Sequence, residues 1–292
     1  MKYFFAVILL VICTSALKAQ HSGNSVYGDN SAIKIHSSPQ KLYLTDSTFI
    51  IQANILVNVL ADGYVATFGV SDSSATIKDS NERIGKRIKG FIGSLSKFNI
   101  GPKDVYVDMT TQNKYFDYHI KGNVAEQYIK GFEIKKNVIV KFNNINDLDE
   151  IMIAASDFQI YDLVKVDYIV NDLNKINIQL FKLGMEVINQ KKEMYTDATN
   201  SKLLPASQIY GEELSAYYPT QLYKTYTAES SSRVYTEYDR LIRKDMRNTP
   251  TVYYDKLNYS GFDKIVNPSV IEPAVEFVLN LQIKFQIEKP KK

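Results

Sequence analysis

The last stretch of the chain places the strongest constraint on its fold. Val275, Phe277, Leu279, Leu281, Ile283, Phe285 and Ile287 alternate with mostly polar residues. Successive side chains of a strand point to opposite faces, so this pattern predicts one strand with a continuous apolar face. A strand of that length has to pair with a sheet already built from upstream chain. Its apolar face is expected to pack on a helix layer, with Asn280, Gln282 and Lys284 looking outward.

Upstream patterns supply candidates for that sheet and that layer. Ile51, Ala53, Ile55, Val57 and Val59 alternate, and so do Tyr64, Ala66, Phe68 and Val70. With Asp62-Gly63 as a turn, the two runs read as a hairpin. Ile77, Ile84, Ile88, Phe91, Leu95 and Phe98 have the spacing of one helix face, stopped by Gly101-Pro102. Strands follow at Val105–Met109 and Phe132–Phe142, separated by a polar and aromatic stretch, Lys114–Asn123, read as a loop. A short helix capped by Asn144 or Asn146 runs through Ala155, then a strand from Leu163 to Val170. Leu173, Ile176, Leu180, Leu183, Val187 and Met194 mark a second long helix. From about 196 to 268 no period is visible. The order ββαββαβα, an irregular Tyr-rich stretch and a closing strand indicates an α+β fold, antiparallel sheets packed with two long helices.

The amino terminus points to export. Lys2 precedes the apolar run Phe4–Ile12, and small Ala19 precedes Gln20. This is the plan of a secretory signal, too short to span a bilayer. Residues 1–19 are expected to be a signal peptide, residues 20–48 a flexible leader, and residues 49–292 the folded domain, periplasmic or otherwise exported. Bulky Ile12 stands where a lipid-attachment site at Cys13 wants a small residue. Cys13 is the only cysteine, so a processed chain has no disulfide, thiol nucleophile or thiolate metal site. Losing Lys2 and Lys18 leaves Lys and Arg exceeding Asp and Glu by one. That balance argues against a nucleic-acid partner. No later segment is apolar for long enough to cross a membrane.

Motifs that carry chemistry are missing. His21, His36 and His119 have no second histidine at ligand spacing, and there is no nucleophile elbow, phosphate-binding loop or HExxH motif. Asp147, Asp149 and Glu150 read as a helix start, where acidic residues favour the macrodipole. No catalytic residue, metal ligand or cofactor is therefore expected, and the protein is read as not an enzyme. Arg240, Arg243, Lys244 and Arg247 form one basic stripe on a helix, suited to an acidic partner or phosphate; a solvated face is the plainer reading. Tyr217, Tyr218, Tyr223 and Tyr226, within the Tyr-rich stretch, are candidate interface residues, because tyrosine offers a large rigid contact with a polar tip.

Several segments together resemble a known family. Ala61–Val70 gives a turn and a strand ending in Gly-Val, and Phe98–Tyr106 a helix end, Gly, Asp and a strand. Tyr128–Phe132 leads to Val138–Val140 and then Asp147-Leu148. Leu163–Asn171 with its following helix and Val275–Ile287 complete the series. The stretch from Ile51 to about Tyr195 resembles the SIMPL domain of bacterial periplasmic proteins linked to oxidative-stress defence and of periplasmic immunogenic proteins. The resemblance implies helices on antiparallel sheet and, as in some members, ring-shaped oligomers. It carries over no catalytic residues. The expected function is that of a non-catalytic SIMPL-like envelope protein, a homo-oligomer or bound to another envelope protein, connected with stress defence. The alternative is a small-ligand or glycan binding module using the Tyr-rich stretch.

Overall fold

The closing alternation, Val275–Ile287, lies in the middle of a sheet, hydrogen-bonded to Thr48–Val59 on one side and Leu203–Tyr217 on the other. The computed structural model describes residues 25–27, 43–44, 47–227 and 250–288. The expected signal peptide, Cys13, His21, His36 and the Arg240, Arg243, Lys244 and Arg247 stripe lie outside the described residues. The strands are β1 (Ser25–Tyr27), β2 (Tyr43–Leu44), β3 (Thr48–Val59), β4 (Gly63–Ser74), β5 (Val105–Lys121), β6 (Val124–Phe142), β7 (Asp162–Ile169), β8 (Leu203–Tyr217), β9 (Tyr223–Thr227), β10 (Thr251–Tyr254), β11 (Lys264–Val266) and β12 (Val275–Ile287). The helices are α1 (Ile77–Ser94), α2 (Leu148–Ser156), α3 (Leu173–Thr199) and the single turn α4 (Pro219–Leu222). The fold is α+β, with mostly antiparallel sheets and three substantial helices.

The described residues divide into two units. The smaller is a three-stranded antiparallel sheet, β1-β9-β10. Lys224 and Asp255 form an ion pair within it, and the Tyr223 and Tyr254 rings lie 5.9 Å apart.

The larger unit holds two sheets. In the first, ordered β11-β3-β12-β8 with β2 also on β3, the closing strand pairs with β3 from Val275↔Val59 to Gln286↔Thr48. Val275, Phe277, Leu279, Leu281, Ile283 and Phe285 are all buried, as the alternation predicts. They face α3: a Cβ built on Gly184 would come within 3.1 Å of Leu281 and 3.2 Å of Leu279, so glycine lets the helix lie close without crowding these leucines. The opposite face differs from the expectation. Asn280, Gln282 and Lys284 are half-buried, and Glu276 and Val278 are buried. Gln52 donates to Asn280 at 3.1 Å and to Asn54 at 3.0 Å, forming an amide ladder across the strand pair. The segment 256–268 lies against β3: Asn54 donates to the Gly261 carbonyl, and Asn58 to Tyr259 and the Asn267 carbonyl.

The second sheet is ordered β5-β6-β4-β7, with α1 on one face. Thr76 caps α1 by accepting from the Asp79 N–H. The helix buries Ile84, Ile88 and Phe91, and Phe91 meets Phe68 of β4 edge-on at 5.4 Å. One continuous cluster of buried side chains links α1, α2, α3, β3, β4, β6 and β12.

Three expectations are corrected. First, β3 and β4 are not a hairpin; they follow each other in sequence but belong to different sheets. The Asp62 N–H donates to the Ile169 carbonyl instead, and the Asp62 carboxylate accepts from the Asn171 N–H. Second, Lys114–Asn123 is not a loop, because β5 continues through it to Lys121. Third, the described residues of the stretch 196–268 are not all irregular: they contribute β8, β9, β10 and β11. No residue of β8 whose burial is described is fully buried, so the strand has no apolar period to read; pairing with β12 holds it in place. Within the expected leader, 25–27 and 43–44 form strands β1 and β2.

Candidate functional site

The four candidate interface tyrosines occupy different settings. Tyr217 ends β8, half-buried and opposite Glu276. Tyr218 packs against the core, and its N–H donates to the Gln221 side chain at 3.1 Å, starting the turn α4. Tyr218 also lines a hollow of about 170 Å³ with Leu173, Leu214 and Phe277. Tyr223 and Tyr226 belong to the smaller unit, where Tyr226 sits opposite Val26 and Thr251. Tyr210, 59% exposed, falls at a bulge of β8. Tyr259 is structural: its hydroxyl accepts from Asn58 at 3.0 Å, and burial raises its pKa.

An exposed apolar surface lies elsewhere, on the hairpin β5–β6. β4 pairs with β6 only from Phe142 back to Phe132. Beyond that point β5 and β6 continue as a two-stranded ribbon, from Tyr115↔Gly131 to Lys121↔Val124. Gly131 marks the exit. A Cβ there would lie 2.4 Å from the Ser74 carbonyl oxygen and 2.9 Å from the Tyr115 ring, so the end of β4 admits only glycine. The turn is Gly122-Asn123, with Gly122 at φ 61°, a value that suits the first position of a two-residue hairpin loop.

The two faces of this ribbon differ in chemistry. A bulge at Tyr115/Phe116 resets the register, and from there Phe116, Tyr118 and Ile120 share a face with Ile129, Gln127 and Ala125. Phe116, Tyr118, Ile120 and Ile129 are 49, 56, 77 and 50% exposed. On the other face the His119 and Tyr128 rings stack at 4.0 Å, 7° from parallel. Lys130 reaches Asp117 at 2.5 Å, and Asp117 also accepts from the Tyr118 N–H at 2.9 Å. The Lys130 hydrogen bond, helped by that amide, holds the Asp117 carboxyl below the usual carboxylate range, and Asp117 in turn raises Lys130.

A second apolar surface lies at the opposite edge of the same sheet, beside β7. Asn144 accepts from the Asn146 N–H at 3.2 Å and opens the helical turn leading into α2, whose first turn carries Asp149 and Glu150. The far end of α2 is tied to α1. Arg87 donates to the Phe158 and Gln159 carbonyls, and Phe158 fills the space a side chain at Gly90 would need. Between α2 and β7 lies a hollow of about 530 Å³. Buried Phe68 and Ile160 line it with Leu163, and Met152, Ile153 and Tyr161 line it nearer solvent. Ile153 and Tyr161 are 63 and 71% exposed. Residues 147–162 contain five Asp and Glu and no Lys or Arg.

Among the described residues, no group of three or more His, Cys, Asp or Glu side chains could hold a metal ion, and no helix is long and apolar enough to cross a membrane. The ribbon and the hollow were missed by sequence reasoning. The ribbon had a readable signal: Phe116, Tyr118 and Ile120 alternate with Asp117, His119 and Lys121, the pattern of a two-faced strand. Neither protein-family models nor curated proteins give a match to this chain.

Proposed function

We propose that this chain is an exported, non-catalytic, SIMPL-like envelope protein that works by assembling with copies of itself. The observation that carries this reading is the ribbon from Tyr115 to Gly131, which extends past its sheet with Phe116, Tyr118, Ile120 and Ile129 exposed together on one face. A lone two-stranded hairpin is at best marginally stable in water, and a contiguous apolar face is normally covered by a partner. The near-balanced charge offers little self-repulsion. The signal-like amino terminus supports export, and the element order from β3 to α3 supports the SIMPL-like reading.

Sedimentation velocity of the purified protein at micromolar concentration tests the reading. A discrete species heavier than one chain is expected; a single monomeric species overturns it.

A further inference from the structure

Processing at the expected signal junction exposes a residue with chemistry of its own. Small Ala19 is followed by Gln20, so cleavage between them makes Gln20 the first residue and frees its α-amino group. Gln20 lies ahead of the described residues. The first of these, Ser25, opens β1 five residues further on. β1 is an edge strand of its sheet and pairs with β9 through Ser25↔Thr227, Val26↔Tyr226 and Tyr27↔Thr225. An α-amino group is readier to react than a lysine: its ordinary pKa is about 7.7–8.0 against about 10.4, so near neutral pH a sizeable fraction is the neutral, nucleophilic amine. In a terminal glutamine that amine and the side-chain amide carbon belong to one residue and close a five-membered ring. Holding both groups in one molecule gives the amine an effective concentration far above that of any external nucleophile.

We infer that the processed chain begins with pyroglutamate formed from Gln20. The α-nitrogen bonds to the side-chain Cδ, the Cδ–Nε2 bond breaks, and one α-amino proton passes to Nε2, which leaves as ammonia. No oxidant and no second reactant is consumed. The inference rests on the export reading, because an unprocessed chain keeps the Gln20 nitrogen inside a peptide bond. Two consequences follow for the mature end. The lactam is neutral, so the terminal positive charge is removed. An aminopeptidase works inward from a free α-amine, so the lactam protects residues 20–24 and, behind them, the strand that β9 pairs with.

Amine capture followed by mass spectrometry tests this end. The full chain is expressed with its signal in cells that export it, and free amines are dimethylated in denaturant at lysis, before any digestion. A glutamine end that is still open is captured at that moment and can no longer cyclise during handling. Cleavage before Asp29 then releases Gln20–Gly28, which contains no lysine, so a dimethyl group on it reports the α-amine alone. The peptide is expected to lack the dimethyl group and to be lighter than the open form by one ammonia. In Gln20→Ala the same peptide is expected to be dimethylated in full. A Gln20 end that is mainly dimethylated, processing at a different bond, or a blocked end in Gln20→Ala overturns the inference and leaves the export reading standing. A chain that still carries residues 1–19 overturns both.

Discussion

The two halves of the hairpin β5–β6 share their strands but not their surroundings. In the half next to β4, Ile134, Val138 and Val140 are fully buried beneath α1. In the other half Phe116, Tyr118, Ile120 and Ile129 face solvent, on the same backbone ladder. Apolar side chains in the first half stabilise the monomer. Those in the second are only partly covered by their own copy, and the proposed partner would cover the rest. An identical chemical change should therefore have unequal consequences for the stability of the monomer in the two halves.

The largest expected effect comes from removing the structure on which the covered half rests. Deleting residues after Pro273 takes away β12, the strand between β3 and β8, and uncovers the core against α3. No cooperative thermal transition is expected from the truncated protein, and one at the wild-type temperature would contradict the account. Next, Ile134→Ala, at a fully buried site, should cost about 2–5 kcal/mol in urea unfolding. Ile120→Ala, at a 77% exposed site, should stay within about 0.5 kcal/mol when measured below the assembly concentration. Equal losses at the two positions would erase the distinction.

The boundary between the halves gives a smaller effect. Gly131→Ala places a Cβ against the Ser74 carbonyl and is expected to destabilise by about 1–3 kcal/mol, the range for overpacking. A glycine in the free ribbon, such as Gly122 with its φ of 61°, meets nothing within 4 Å; substitution there strains only the turn.

The pH responses of the two regions differ in sign. Away from the ribbon, burial raises the Tyr64 and Tyr259 phenols above their ordinary value of 10.0. Below that pH both are neutral whether the chain is folded or unfolded. Above it the unfolded chain loses these protons first, so their contribution to stability is lost as pH rises through the raised values. Phenolate absorbance should show tyrosines that ionise above the ordinary tyrosine range in the folded protein. On the ribbon, the lowered Asp117 pKa means that its ion pair with Lys130 contributes at neutral pH and is lost as pH falls through that lowered value. This is the smallest effect, since the pair is solvent-exposed. Once the intrinsic pH dependence of exchange is corrected for, amide protection in residues 115–131 should drop on acidification, and Asp117→Asn should lower it already at neutral pH.

Legibility in the sequence followed burial. Ile84, Ile88 and Phe91 of α1 and the alternation of β12 could be read because one face of each is wholly buried, which imprints a period. β8 could not be read, because backbone pairing with β12 places it while none of its described side chains is fully buried. The β3–β4 link misled because a Asp-Gly turn between two alternating runs looks the same whether the strands pair or part into two sheets; the deciding bonds, from Asp62 to Ile169 and Asn171, reach over a hundred residues. The ribbon was passed over because aromatic and charged residues alternate there without a buried face. The hollow depends on where α2 lies beside β7, a tertiary relation that no local pattern encodes.

One measurement addresses the central claim directly. The hairpin can be shortened by joining Tyr115 to Gly131 through an Asn-Gly turn, which removes the ribbon and leaves every strand pair that β4 makes. Sedimentation velocity and thermal melting are then compared with the intact protein. The account predicts an unchanged melting temperature, read below the assembly concentration, and loss of the heavier species. A shortened protein that still sediments as the intact one does would show that the ribbon is not the assembly arm.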